Sequence, residues 1–123
     1  MATVSVRYIV QDVDAAIAFY TRHLGFTVRS SALPAFADVV RGPLRLLLSG
    51  PASSGARATP DDASTAGRNR IHLVVNDLDG EIGRLRTAGL PFRGDVVAGP
   101  GGRQALLADP AGNLVELFEP AER

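Results

Sequence analysis

Apolar and polar residues alternate at the start of the chain, where Val4, Val6, Tyr8 and Val10 interleave with Ser5, Arg7, Ile9 and Gln11. A period of two predicts a strand over about residues 3–11, with one face more polar than the other. The period then changes. Val13, Ile17, Tyr20 and Leu24 fall on one stripe at helical spacing, with Ala16 beside them. Asp12 supplies a cap for the orphan amides at the helix start, and Gly25 stops the helix. Three short strands are predicted next, Phe26–Ser31, Phe36–Arg41 and Leu44–Leu48, with turns at Leu33-Pro34 and Gly42-Pro43.

The same order recurs after a break. Arg70–Asn76 reads as a strand, and Asp77 opens a second helix whose buried side carries Leu78, Ile82 and Leu85 and which ends at Gly89. Strands are predicted at Phe92–Val97, Gln104–Ala108 and Leu114–Phe118. Adding 65 to the residue number carries Val10 to Val75, Asp12 to Asp77, Asp14 to Asp79 and Ile17 to Ile82; adding 70 carries Gly42 to Gly112 and Leu44 to Leu114. The chain is therefore read as two copies of strand-helix-strand-strand-strand, module one over about 3–48 and module two over about 70–119. Neither copy has enough apolar surface to bury its sheet alone, so the two are expected to share one cupped surface within a single domain, 1–123. Between them, residues 49–69 turn to Gly, Ser, Ala, Pro and Asp without periodicity, which reads as a linker or as a lid over a site.

Composition narrows the function. Thirteen basic residues balance thirteen acidic ones, so no basic field exists to hold nucleic acid or an anionic membrane. The absence of cysteine removes disulfides, zinc-thiolate sites and a cysteine nucleophile. The first residues lack the basic segment and apolar run of a signal peptide, and no stretch is long enough to span a bilayer; a cytoplasmic location is the expectation. Gly99-Pro100-Gly101-Gly102 lies between two strands and meets no helix N-terminus, so it is a hairpin turn and not a phosphate cradle. Ser53, Ser54 and Ser64 stand in no nucleophile elbow.

One residue is out of keeping with its surroundings. Glu116 lies in the run Leu114-Val115-Glu116-Leu117-Phe118, where a carboxylate is costly to bury unless a metal, a cation or a substrate meets it.

Three stretches resemble the vicinal oxygen chelate superfamily of glyoxalases, bleomycin-resistance proteins and ring-cleaving dioxygenases. They are Val10–Tyr20 with Leu24-Gly25-Phe26, then Val75–Asp79, then Asp109–Leu117. The resemblance implies an α+β fold of two βαβββ modules forming a cupped, partly open barrel around a ligand cavity, commonly in homodimers. It further implies four metal-ligand positions, on the first and last strand of each module. Carried over, these are Ser5 and Arg70, seven residues before Asp12 and Asp77, and Leu46 and Glu116, four residues after Gly42 and Gly112. Only Glu116 is an ordinary ligand. A divalent ion needs several oxygen or nitrogen donors, and a cationic side chain repels it, so no metal cofactor is favoured. The remaining route to a divalent metal is Glu116 with His72, which strand parity places on the face of Arg70, Val74 and Asn76.

Each candidate has a structural and a functional reading. Glu116 is either a cavity carboxylate or half of an ion pair with Arg70. His72 is either a hydrogen-bonded interior residue or a proton-transfer group. Arg7, its counterpart in module one, is either a cavity cation for an anionic ligand or a solvated strand residue. His23 is a partner of the helix C-terminal dipole. Phe19, Tyr20, Phe26 and Phe92 are assigned to the core, whereas Phe36 and Phe118 are placed near a cavity wall. The first functional expectation is a metal-independent small-molecule binding protein, its ligand held by Arg7, Phe36, Arg70, His72, Glu116 and Phe118. The alternative is a glyoxalase-like lyase or isomerase, or a dioxygenase-related enzyme, in which Glu116 and His72 are catalytic.

Overall fold

The structure is a computed structural model and describes residues 4–53, 67 and 69–121. The expected linker stretch 54–66, with Ser54 and Ser64, lies outside the described residues, as does Thr3. The described residues of Met1–Arg68 with Asp109–Asn113 form one compact unit, and those of Asn69–Ala108 with Leu114–Arg123 form the second.

In the first unit the order is β1 (Val4–Ile9), α1 (Val13–His23), β2 (Thr27–Ala32), β3 (Phe36–Arg41) and β4 (Leu44–Ser49). The sheet order is β1-β4-β3-β2, with β1 parallel to β4 and the other pairs antiparallel. The second unit repeats this with β5 (Arg70–Val74), α2 (Leu78–Thr87), β6 (Phe92–Gly99), β7 (Gly102–Ala108) and β8 (Leu114–Pro120), in the order β5-β8-β7-β6. The α+β class and the two βαβββ modules are as the sequence pattern predicts. Both helices begin at the expected cap. The Asp12 carboxylate accepts from the Ala15 amide at 3.0 Å, and that of Asp77 from the Gly80 amide at 3.1 Å.

Alternation divides each sheet into a face against its helix and a face away from it. On the helix side of the first sheet lie Tyr8, Ala37, Val39, Leu46 and Leu48, all fully buried. They meet Val13, Ala16, Phe19 and Tyr20 of α1. Tyr20 is the centre of this packing, with edge-on contacts to Phe19 and Phe26 at centroid distances of 5.0 and 5.2 Å. Its hydroxyl donates to Asp109 Oδ2 at 2.8 Å. The other Asp109 oxygen accepts from the amides of Ala111 and Asn113, which closes the Asp109–Asn113 turn. In the second sheet Ile71, Leu73, Ala105, Leu107, Val115 and Leu117 are buried on the side of Leu78, Ile82 and Leu85.

Several expected boundaries and core positions move. Strand β5 ends at Val74; the Val75 amide still donates to the Phe118 carbonyl at 2.8 Å as the last rung of the parallel ladder, and Asp77 then caps the helix. Strands β6 and β7 extend to Gly99 and Gly102, which pair directly and tighten the hairpin. Phe19 is buried as expected, but Ile17, expected on the buried stripe, and Phe92, assigned to the core, are only half-buried; Phe36 and Phe118 are half-buried too.

Candidate functional site

The second sheet's face away from α2 is a ladder of rows set by hydrogen-bond register. Residues paired across strands share a face, so one row reads His72, Glu116, Leu106, Arg93 and the next Val74, Phe118, Gln104, Val97. Arg70 lies one row back, opposite Leu114. Burial follows this parity: Ile71 and Leu73 are covered, whereas Arg70, His72 and Val74 are exposed.

Arg70, His72, Glu116 and Phe118 therefore come together. Arg70 donates from Nε and Nη2 to a single Glu116 oxygen, Oε1, at 3.1 and 2.7 Å. The other oxygen, Oε2, lies 3.5 Å from His72 Nε2. The Glu116 side chain is 12% exposed against 44% for Arg70, so the carboxylate is mostly shielded and its main partner reaches water. The His72 ring lies over Phe118, with centroids 4.9 Å apart and planes 37° apart. The ion pair expected between Arg70 and Glu116 is present, and His72 is a half-exposed neighbour of it, not an interior residue.

Beside Phe118 is a half-open recess of about 190 Å³, lined by Val97, Gly99, Gly101, Gly102, Gln104 and Phe118. Sequence reasoning identified the glycine-rich segment as a hairpin turn, which it is, but missed that the same glycines leave this space.

Arg7 and Phe36 belong to the first unit. There they share the sheet face away from α1, Arg7 in the row of Leu47 and Asp38, Phe36 in that of Ile9 and Ser49. Arg7 Nη1 donates to Ser49 Oγ at 2.8 Å. Asp38, on this face, was not singled out from the sequence. Its side chain is fully buried and its Oδ2 accepts from Arg45 Nη2 at 2.7 Å, Ser30 Oγ at 3.0 Å and Arg29 Nη1 at 3.4 Å. Burial pushes the Asp38 carboxyl up, but the hydrogen bonds from Arg45 and Ser30 and the charges of Arg45 and Arg29 outweigh it and hold the group below the ordinary value. The signal that exposed Glu116, a lone carboxylate in an apolar strand, was equally present in Ala37-Asp38-Val39-Val40.

Register also corrects one carried-over position. Leu46 pairs with Val6 and is fully buried on the helix face, while Leu47 pairs with Arg7 as Glu116 pairs with His72. The counterpart of Glu116 is thus Leu47, one residue later than counting from the turn glycine gave. The slip comes from unequal turns: Gly42-Pro43 joins β3 to β4, whereas Asp109–Asn113 joins β7 to β8.

The implied metal does not fit these residues. Two of the four positions are Leu47 (or Leu46) and Ser5, the third is a guanidinium, and that guanidinium occupies Glu116 Oε1. Among the described residues no group of three or more His, Cys, Asp or Glu side chains could hold an ion.

Comparison with known proteins gives the same family as the motifs. The family model described as the Glyoxalase/Bleomycin resistance protein/Dioxygenase superfamily matches residues 3–117. Lactoylglutathione lyase from Agrobacterium tumefaciens superposes with a TM-score of 0.80 at 25% identity, over 96% of this chain and 92% of that one. A superfamily member from Sphaerobacter thermophilus DSM 20745 does so at 0.74 and 26%, over 97% of each chain. TnmS3, an antibiotic binding protein from Streptomyces sp. CB03234, has a TM-score of 0.78 at 24% identity, over 98% of this chain and 97% of that one, and shares the fold. No curated protein matches the sequence.

Proposed function

Because the chain belongs to the Glyoxalase/Bleomycin resistance protein/Dioxygenase superfamily, we propose that it is a metal-independent small-molecule binding protein whose ligand lies on the Arg70–His72–Glu116–Phe118 face. The observation that carries this reading is Arg70, a cation that takes the place of a ligand and donates twice to the one family carboxylate. A half-exposed guanidinium, an imidazole and a shielded carboxylate beside an aromatic ring suit a polar group attached to a planar one. Arg7 and Phe36 are proposed as ligand contacts on the first unit, and the protein is proposed to act as a homodimer. Among the described residues no helix is long and apolar enough to cross a membrane. The fold itself does not choose a function, being common to a protein named for antibiotic binding and another named for a lyase.

A second reading keeps its own observation. His72 Nε2 at 3.5 Å from Glu116 Oε2 is close to hydrogen-bond range and would tighten around a substrate, which suits acid–base chemistry. The experiment that separates the two measures metal after purification without chelator, and activity on an α-keto-aldehyde thiol adduct with Ni, Co, Mn, Zn or Fe. The proposal expects substoichiometric metal, no turnover and a rise in Tm with a planar polar compound. Stoichiometric metal that disappears in Glu116→Gln overturns it.

A further inference from the structure

We propose that the recess beside Phe118 is a subsite for one neutral six-membered aromatic ring carrying a single hydrogen-bonding substituent. This deepens the small-molecule reading and rests on it, because it names the part of the ligand that the ion-pair residues do not recognise.

Size sets the first limit. The recess is about 190 Å³. A cavity of roughly 150 Å³ accepts benzene, so one substituted ring fits and a fused polycycle does not.

The lining sets the chemistry. Phe118 and Val97 are the apolar walls, and Val97, 59% exposed, is among the most exposed large hydrophobic residues described. Among the described residues no charged side chain lines the recess, so a charged ring would lose its hydration without a counter-charge. Gln104, directly across from Phe118 in the β7–β8 register, brings the one side-chain amide, which can donate or accept. A phenol or a carboxamide meets that requirement.

The glycines explain why the space exists. At Gly102 a Cβ would collide with the Glu119 carbonyl oxygen and lie 3.0 Å from Phe118 Cζ, on a backbone with φ of +146°. A Cβ at Gly101 would stand 3.9 Å from the same Phe118 atom, in ordinary contact and without left-handed backbone. Glycine at 102 is therefore demanded by the chain path, but glycine at 101 is not. What its missing side chain leaves is an uncovered Phe118 edge. The Phe118 ring also contacts His72, which lies 3.5 Å from the Glu116 carboxylate, so a ring in the recess sits one residue away from the ion pair.

The test uses fragments and the full chain. Phenol, benzamide, cyclohexanol and naphthalene-2-ol are titrated while amide chemical shifts are followed. Saturable binding of phenol and benzamide is expected, with shifts centred on residues 97–104 and 118, and at least tenfold weaker binding of cyclohexanol and naphthalene-2-ol. Gly101→Val fills the space and is expected to weaken phenol at least tenfold with an unchanged Tm; should it fail to fold, Gln104→Leu is expected to weaken benzamide about tenfold. Asp14→Asn, on the exposed side of α1, leaves phenol binding within twofold. Phenol binding that survives Gly101→Val, shifts centred elsewhere, or no saturable binding overturns the subsite. If a larger polar compound still raises the Tm through Arg70 and Glu116 in that case, the binding-protein reading stands and only the subsite falls.

Discussion

Arg70 and Glu116 meet through one carboxylate oxygen, leaving Glu116 Oε2 turned toward His72 at 3.5 Å. Both residues stand at positions where the family resemblance implies metal ligands, and here one of them is a cation that hydrogen-bonds the other's carboxylate.

Replacing the Arg70 guanidinium should create metal affinity. Arg70→His puts a second imidazole two residues from His72 on the same face, with Glu116 adjacent, giving three donors of the kind that zinc and nickel accept. Calorimetric titration with Ni or Zn should show micromolar or tighter one-to-one binding in the variant. Wild-type protein is expected to show none under the same conditions. Equal binding by both would remove the inhibitory role given to Arg70.

Asp38 should make the first sheet acid-sensitive. Its carboxyl titrates below the ordinary 3.8 because hydrogen bonds and charge from Arg45, Ser30 and Arg29 overcome the effect of burial. A group with a depressed folded-state pKa contributes stability above its unfolded value, and that contribution is lost as pH falls through the folded value. Arg45 and Arg29 are 31% and 58% exposed, so solvent screening limits the effect. Asp38→Asn should lower urea stability by about 1–2 kcal/mol at neutral pH, and the difference from wild type should shrink once the pH falls well below the ordinary carboxylate range.

Tyr20→Phe isolates one buried hydrogen bond. The hydroxyl donates to Asp109 Oδ2 at 2.8 Å, and burial together with the Asp109 charge drives its pKa far above that of a free phenol. Asp109 keeps three other donors, the amides of Ala111 and Asn113 and the Asn113 side chain. The loss should therefore be about 1–2 kcal/mol, read by urea denaturation, with the fold retained. In wild-type protein the Tyr20 phenol should titrate only on unfolding, as followed by ultraviolet absorbance.

Gly102→Ala tests the hairpin independently of any ligand. The added Cβ meets backbone at Glu119 and Ala121 and the Phe118 ring, on a positive-φ residue, and the strands cannot separate without breaking the Gly102–Pro120 pairing and the bond from the Ala121 amide to the Gly101 carbonyl. A destabilisation of about 2–4 kcal/mol is expected from thermal or urea unfolding. Gly101→Ala, with its Cβ in ordinary contact, should change stability by less than about 1 kcal/mol.

Local chemistry was legible in the residues themselves. Asp12 and Asp77 cap because a carboxylate one position before a helix reaches the first free amides whatever surrounds it, and alternation placed Arg70, His72 and Val74 on one face because a strand's side-chain period is two. Repetition of both signals gave two βαβββ modules, and the lone acid in an apolar run marked Glu116. Cross-strand register was not legible, since it depends on turn length and hydrogen-bond pairing. Two turns of unequal length displaced Leu46 from the place that Leu47 holds. Nor could sequence say that Asp38 is met by arginines nine residues before it and seven after, or that glycines of a hairpin open a recess against Phe118. Those relations join residues through space, and only the paired strands brought them within reach.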